Sequence, residues 1–463
     1  MNRTLSLAAA LGLLTQGVFL QSGIAEVSLV RGLVYSPDDI PRVRQAIEDD
    51  PVSRRVADRF IAESDRWMKM SWEELEKLFP PADAVFAYGF AGDPKVNKPW
   101  SWWGRGGEAS LDRPFVVKSP HTGDIYGSQQ PGEEYYDDGK GWKRPSDGKI
   151  FYFKGVWNAY IVRMLHEAVD NLSLAYLITG KEEYAERALR ILDRFATMRA
   201  QRPANDGPID WPHPVGDGYG FFLYAGNVAN DRMVASALAL DLIGKAPAAS
   251  LPSAEDSNLT IFENIRRNYF SVFEKGYIDR RNNFQNHAVS AYASLIAQAV
   301  LFGYPEEIRT GIEAAYGFLD NTIDRDGEYY ELSATYTYLG RIYGGRMLAP
   351  LARYSPENYE EPAKFPEPGT FPNRLRFADD PVWFNTVITS LYRLTTLYRQ
   401  PQYGDAPADR FTPFRTATTA PENLGASIFT RQKAVYLKMF YHATSNPEWK
   451  RLCSQLYWQL PEE

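Results

Sequence analysis

The sequence predicts a mainly α chain: an α/α toroid, an incomplete barrel of antiparallel helix hairpins, with a short C-terminal β segment. Three observations predict it. Apolar residues recur at helical spacing from Trp157 to Phe195, with a break at Gly180. The pattern returns from Ala291 to Leu319, with a break at Gly303 and a restart at Pro305. In both hairpins a Glu-Glu pair follows the glycine, where acids suit a helix N-terminus. Repeated helix pairs of this kind build toroids and solenoids.

The elements follow in chain order. MNRTLSLAAALGLLTQGVFLQSGIA has a basic Arg3, an apolar run from Leu5 to Leu14 and small residues at Gly23 and Ala25. Residues 1–25 are expected to be a secretory signal peptide. No later run of eighteen apolar residues predicts a membrane span. Ser36-Pro37-Asp38-Asp39 predicts a helix start, with the helix running through Ile47, and a second helix is expected from Ser53 to Trp67. Residues 79–150 are irregular and rich in Gly, Pro, Trp and Tyr, a long excursion of the kind that usually serves function.

The first hairpin has Val162, Leu165, Val169, Leu172 and Tyr176 on one face, then Tyr184, Ala188, Ile191 and Phe195 on the face of its partner. ANDRMVASALALDLIG predicts a further helix, as does the stretch from Val387 to Tyr398. Beyond these, ASIFTRQKAVYLKMFYHATS reads as two strands around a charged turn. The expected division is a catalytic toroid over 26–412 and a β segment over 413–463, either a short cap or the start of a β-sandwich domain.

Composition narrows the function. The net charge is −7, which argues against general nucleic-acid binding. Aromatics make up 14% of the chain, and aromatic faces with polar handles suit carbohydrate surfaces. Cys453 is the single cysteine, so no disulfide forms within the chain. Export without disulfides fits a periplasm or exterior. The sequence has no nucleophile elbow and no phosphate loop. Five histidines are too few and too scattered for a multi-histidine metal site, so no metal and no cofactor is expected.

Two polar stretches stand out. RRNNFQNHAVSAY, Arg280 to Tyr292, gathers three Asn, one Gln and one His at the start of an apolar helix. Asn282 or Asn283 suits a helix cap. Asn286 and His287 fall where the helical pattern has begun, and polar groups there need hydrogen bonds or an opening. The second stretch, Asp324 to Gly345, carries Tyr329, Tyr330, Tyr336, Tyr338 and Tyr343. Trp100, Trp102, Trp103 and Arg105 form either a sugar platform or a pinned loop. His213, in WPHPVGDGYG, is a further cleft candidate.

The hairpin LAYLITGKEEYAERALRILDRF, the Asn-His pair and the D-G-x-x-x-E-L-S-x-x-Y run resemble the heparinase II/III-like polysaccharide lyases. The toroidal alginate lyases are similar. The likeness covers residues 35 to about 440 in patches, and Gln402-Tyr403-Gly404-Asp405 resembles the family's link into a β-sandwich. It implies β-elimination on a uronic-acid polymer. Asn286 and His287 would neutralise the C5 carboxylate, and Tyr336 would be the acid/base. Arg281, Asn282, Arg341, Tyr343, His213, Trp103 and Arg105 are the expected contacts to an anionic polysaccharide. The family usually draws a second histidine from its β domain, and the late histidine here is His442. Two other classes fit part of the pattern: an α/α-barrel glycosidase using Asp217, Asp231 or Glu331, and a non-catalytic glycan-binding protein.

Overall fold

The computed structural model describes residues 27–84, 86, 92–99, 109–128, 130–201, 226–254, 256–270, 286–323, 350, 351, 353–367, 379–382, 384, 385, 441 and 444–459. The chain divides into two compact units. Unit 1 is Met1–Val30 with Tyr35–Val272, and unit 2 is Arg31–Val34 with Phe273–Glu463.

In unit 1 the chain enters α1 (Asp39–Asp49) and α2 (Pro51–Met68). Both starts differ slightly from the sequence expectation, and side chains explain why. Ser36 donates its N–H and its hydroxyl to Asp39 Oδ2, at 2.8 and 2.7 Å. The serine therefore shapes a turn before α1 and does not cap the helix. Asp50 Oδ2 accepts from the N–H and hydroxyl of Ser53, at 2.8 and 2.7 Å. It starts α2 two residues before the expected Ser53. A capping box between Ser71 and Glu74 opens the short α3 (Trp72–Glu76).

The irregular excursion folds into small antiparallel sheets. β1 (Gly92–Asp93) pairs with β2 (Lys98–Pro99). β3 (Ala109–Ser110), β4 (Arg113–Lys118) and β5 (Ile125–Tyr126) form a second sheet, and β6 (Trp142–Lys143) pairs with β7 (Ile150–Phe151). Asp93 pins the first sheet to the second. Its buried carboxylate accepts from the Ser119, Thr122 and Tyr126 hydroxyls and from the Lys95 N–H. Burial alone would raise its pKa, but these donors outweigh that and hold it at about 2.

α4 (Phe153–Thr179) is the axis of unit 1, packed against α2, α5 (Glu182–Gln201), α6 (Gly226–Ile243) and β4. It is apolar round most of its circumference, with Arg163, Glu167 and Asp170 on one part-exposed strip. Asp137, from the preceding loop, accepts the Lys154 N–H at 2.8 Å and so satisfies one orphan donor of its first turn. Gly180 ends α4 in the left-handed conformation, φ 68°, and returns its N–H to the Tyr176 carbonyl at 2.7 Å. α7 (Ile261–Asn264) runs into a π turn over Ile265–Tyr269.

Unit 2 is built on the second hairpin, α8 (Asn286–Phe302) and α9 (Pro305–Thr322), joined through Gly303 at φ 74°. Two carbonyls in the last turn of α8 find side-chain donors. The Tyr359 hydroxyl donates to the Val300 carbonyl at 2.8 Å, and Arg31 Nε to the Leu301 carbonyl at 3.4 Å. Arg31 also lies over the Tyr359 ring, 4.5 Å from its centroid, while Phe365 stacks on that ring at 3.9 Å. The C-terminal end of α8 is thereby clamped by groups distant in sequence.

The described residues bear out a mainly helical chain made of antiparallel helix hairpins, the unit from which α/α toroids are built. Within 413–463, assigned to β structure from sequence, Pro447–Gln459 is instead a helix, α10. Asn446 explains it: its side-chain oxygen accepts from the Glu448 and Trp449 N–H groups at 3.0 and 3.3 Å, ahead of a Pro in the first helical position. The strands expected between 426 and 440, and the helix expected from Val387 to Tyr398, lie outside the described residues.

Candidate active site

Asn286 and His287 are the first two described residues of α8. Their side chains are outside the described residues, as are Arg281, Asn282, Tyr336, Arg341, Tyr343, His213, Trp103 and Arg105.

What is described is the helix that carries the pair. Counting in fours from Asn286, α8 has Ser290, Ser294 and Gln298, which form a polar stripe down an otherwise apolar helix. All three are buried, and Gln298 Nε2 donates to Ser294 Oγ at 2.8 Å. Apolar neighbours hold the rest of α8, including Ile296 against α9. The pair thus lies on a helix whose last turn is held by Tyr359 and Arg31.

Unit 1 contains a histidine–tyrosine pair that looks catalytic in outline. His166 Nε2 lies 2.8 Å from the Tyr269 hydroxyl, which lies 2.7 Å from Ser236 Oγ. His166 Nδ1 lies 2.7 Å from the Val162 carbonyl, an acceptor only. The proton must therefore sit on Nδ1. Nε2 accepts from Tyr269, and Tyr269 accepts from Ser236. His166 and Tyr269 are 1% and 0% exposed, so no substrate reaches them. Burial, assisted by the nearby Arg232 charge, pulls the His166 pKa down to about 3. Glu167 and Asp170 follow His166 on α4 and pair with Arg232, at 3.5 and 3.6 Å. This is a structural core network.

A second feature of unit 1 is open. A cleft of about 310 Å³ lies between the Leu78–Pro81 turn, the β4–β5 hairpin and the first turns of α4. Lys77, Tyr136, Lys154, Trp157 and Asn158 line it with Phe115. Sequence reasoning did not single out these positions for function. A signal was present at Asn158, an amide inside the apolar run of α4, similar to the one that marked Asn286. The others come together only through tertiary contact. Among the described residues no cluster of His, Cys, Asp and Glu could hold a metal ion. No described helix is long and apolar enough to cross a membrane.

Residues 157–335, from α4 through α9 and into the segment beyond, match the family model described as alginate lyase. Over that span the chain is similar to the polysaccharide lyases of the alginate-lyase type. The matched span contains Arg281, Asn282, Asn286 and His287, and stops one residue short of Tyr336. A crystal structure of an alginate lyase from Bacteroides ovatus is similar at 15% identity, covering 94% of this chain and 100% of that one, with a TM-score of 0.43. A heparinase III structure is similar at 13% identity, covering 64% of this chain and 41% of that one, with a TM-score of 0.38. No curated protein matches the chain.

Proposed function

We propose that this chain is a polysaccharide lyase that cleaves a uronic-acid-containing polysaccharide by β-elimination. The C5 proton of a uronate residue is a very weak acid while the adjacent carboxylate is charged. Asn286 and His287 donate hydrogen bonds to that carboxylate and stabilise the negative charge that develops as the proton leaves. Tyr336 takes the C5 proton or delivers one to the leaving 4-oxygen. The C4–O bond breaks, a C4–C5 double bond forms, and the leaving oxygen departs as a hydroxyl. A phenol needs a lowered pKa to act as base near neutrality, and Arg341 with Arg281 supplies positive charge for that purpose. Asn282, Tyr343, His213, Trp103 and Arg105 contact the polymer around the reacting residue.

The observation that carries this reading is the family match over 157–335, which takes in the Asn-His pair on α8. The net charge of −7 favours a carboxylate polymer over a heavily sulfated one, which would draw a basic protein. A polymer substrate outside the cell fits export, which we propose from the basic, apolar and small-residue pattern of residues 1–25. The test is to incubate the chain with a panel of uronate polymers and follow ultraviolet absorbance of the unsaturated product. Rising absorbance on one polymer supports elimination. New reducing ends without absorbance would assign a hydrolase.

A further inference from the structure

We propose that the cleft between the Leu78–Pro81 turn, β4–β5 and the start of α4 is a subsite for one carboxylate-bearing sugar residue. This rests on the polysaccharide-lyase reading and extends it to a part of unit 1 outside the predicted catalytic residues. Its volume, about 310 Å³, is at the small end of the range for small-molecule pockets, roughly 300–1,000 Å³. That suits a single sugar ring with its substituents.

The lining supplies the chemistry. Lys77 and Lys154 bring two ammonium groups, and neither is in an ion pair among the described residues. The one acid on the wall, Asp137, is buried and committed. Its oxygens accept the N–H groups of Gly139, Gly141 and Lys154 at 2.8, 2.9 and 2.8 Å. The balance of charge facing the cleft is therefore positive in an acidic protein. The Tyr136 side chain is half-buried, and its hydroxyl has no hydrogen-bond partner among the described residues. A sugar hydroxyl or carboxylate oxygen fits that donor.

The backbone around the cleft supplies a separate observation. Phe115, on β4, has φ 67°, and Tyr135, beside Tyr136, has φ 67°. Positive φ is costly for a bulky aromatic residue and persists only where the surroundings enforce it. At Phe115 the enforcement is visible. The register of β4 against β3 jumps from Ala109↔Val117 to Ser110↔Arg113, so residues 114–116 bulge out of the ladder. The bulge turns the Phe115 ring to the cleft wall, 5.5 Å from the Trp157 ring. An apolar ring wall with cations and a free phenol at its edge is a match for an acidic sugar, which has an apolar C–H face and a charged edge.

The test is equilibrium titration of the full chain carrying Tyr336→Phe with labelled tetramannuronate and tetraglucuronate, beside a neutral glucose tetrasaccharide. In this background Lys154→Ala is expected to weaken uronate binding by roughly 10-fold or more. Tyr136→Phe is expected to weaken it by about 3-fold, and the exposed Lys77→Ala serves if Lys154→Ala does not fold. Unchanged affinity in the folded variants, or no uronate binding at all, overturns the subsite. Turnover of a polymer with affinity indifferent to these residues leaves the lyase reading standing and removes the cleft. Lysine-dependent uronate binding without turnover on any polymer keeps the cleft and removes the proposed chemistry.

Discussion

The Tyr269 hydroxyl donates to His166 Nε2 across 2.8 Å while accepting from Ser236, with none of the three in reach of solvent. Tyr269→Phe removes the middle of this chain. It leaves the imidazole nitrogen without a donor and the serine without its acceptor. Buried groups stranded in this way cost about 1–3 kcal/mol. Urea unfolding of the variant should show that loss with an unchanged m-value. A loss below about 0.5 kcal/mol would mean that the chain of bonds is not formed as described.

The same network fixes a pH dependence. His166 in the folded chain has its pKa lowered to about 3, against an ordinary 6.5. Between those values the unfolded chain binds a proton that the folded chain refuses, so stability rises with pH there. The contribution is fully present above the unfolded value and is lost as pH falls through the window, at about 1.4 kcal/mol per unit. NMR of the imidazole nitrogens checks it directly. His166 should remain the neutral Nδ1–H tautomer from pH 7 down to about pH 5. A midpoint near 6 would contradict the sealed environment.

The helix hairpins were legible because two local signals coincide in them: apolar periodicity and a glycine at each turn. Gly180 and Gly303 both adopt the left-handed conformation that the sequence pattern implies. Asp137 was not legible as the cap of α4, because it lies seventeen residues before the N–H it accepts. The cleft was hidden for the same reason. Lys77, Phe115, Tyr136 and Lys154 come from four segments, and no spacing rule links them. Of the candidate active site, Asn286 and His287 fall on α8, while the tyrosine stretch lies outside the described residues. Ser36 shows the limit of reading caps from residue type alone. Its neighbour Asp39 competes for the same hydrogen bonds and reverses the serine's role.

Gly311 on α9 faces Ile296 on α8 so closely that an added Cβ would lie 2.5 Å from Ile296 Cγ1. Gly311→Ala therefore cannot be accommodated without moving one helix or forcing a rotamer. Overpacking of this kind costs about 1–3 kcal/mol. Because α8 carries Asn286 and His287, the shift should also lower activity. Thermal melting and initial rates on the preferred polymer measure the two effects. Pairing it with Ile296→Ala, which removes the Cγ1 that meets the new methyl group, should restore the helix spacing and part of the activity.

Gly303 differs in kind, since its constraint is in the backbone as well as in space. At φ 74° an alanine is strained, and its Cβ would also stand 3.0 Å from Tyr359 Cδ1. Tyr359 is the residue whose hydroxyl holds the Val300 carbonyl. Gly303→Ala is expected to cost more than the roughly 1 kcal/mol typical of a left-handed glycine, because it also disturbs that clamp. Tyr359→Phe removes the hydroxyl alone and should cost about 1 kcal/mol. If Gly303→Ala proves no worse than Tyr359→Phe in chemical denaturation, the close approach of ring and turn is not felt.

The proposed chemistry makes a sharper demand on kinetics than on stability. If Tyr336 moves the proton, Tyr336→Phe should lower kcat by roughly 10²–10⁴-fold with little change in KM, since the ring still contacts the sugar. His287→Ala should lower kcat as well, because it removes a donor that matters most as charge builds on the carboxylate. The two differ in how they respond to the substrate. Esterifying the uronate carboxyl removes the charge that His287 and Asn286 are proposed to neutralise. The esterified polymer should therefore narrow the gap between wild type and His287→Ala, while Tyr336→Phe stays slow on both forms. Equal losses for the two variants on acid and ester would separate His287 from the carboxylate and end the proposed division of roles.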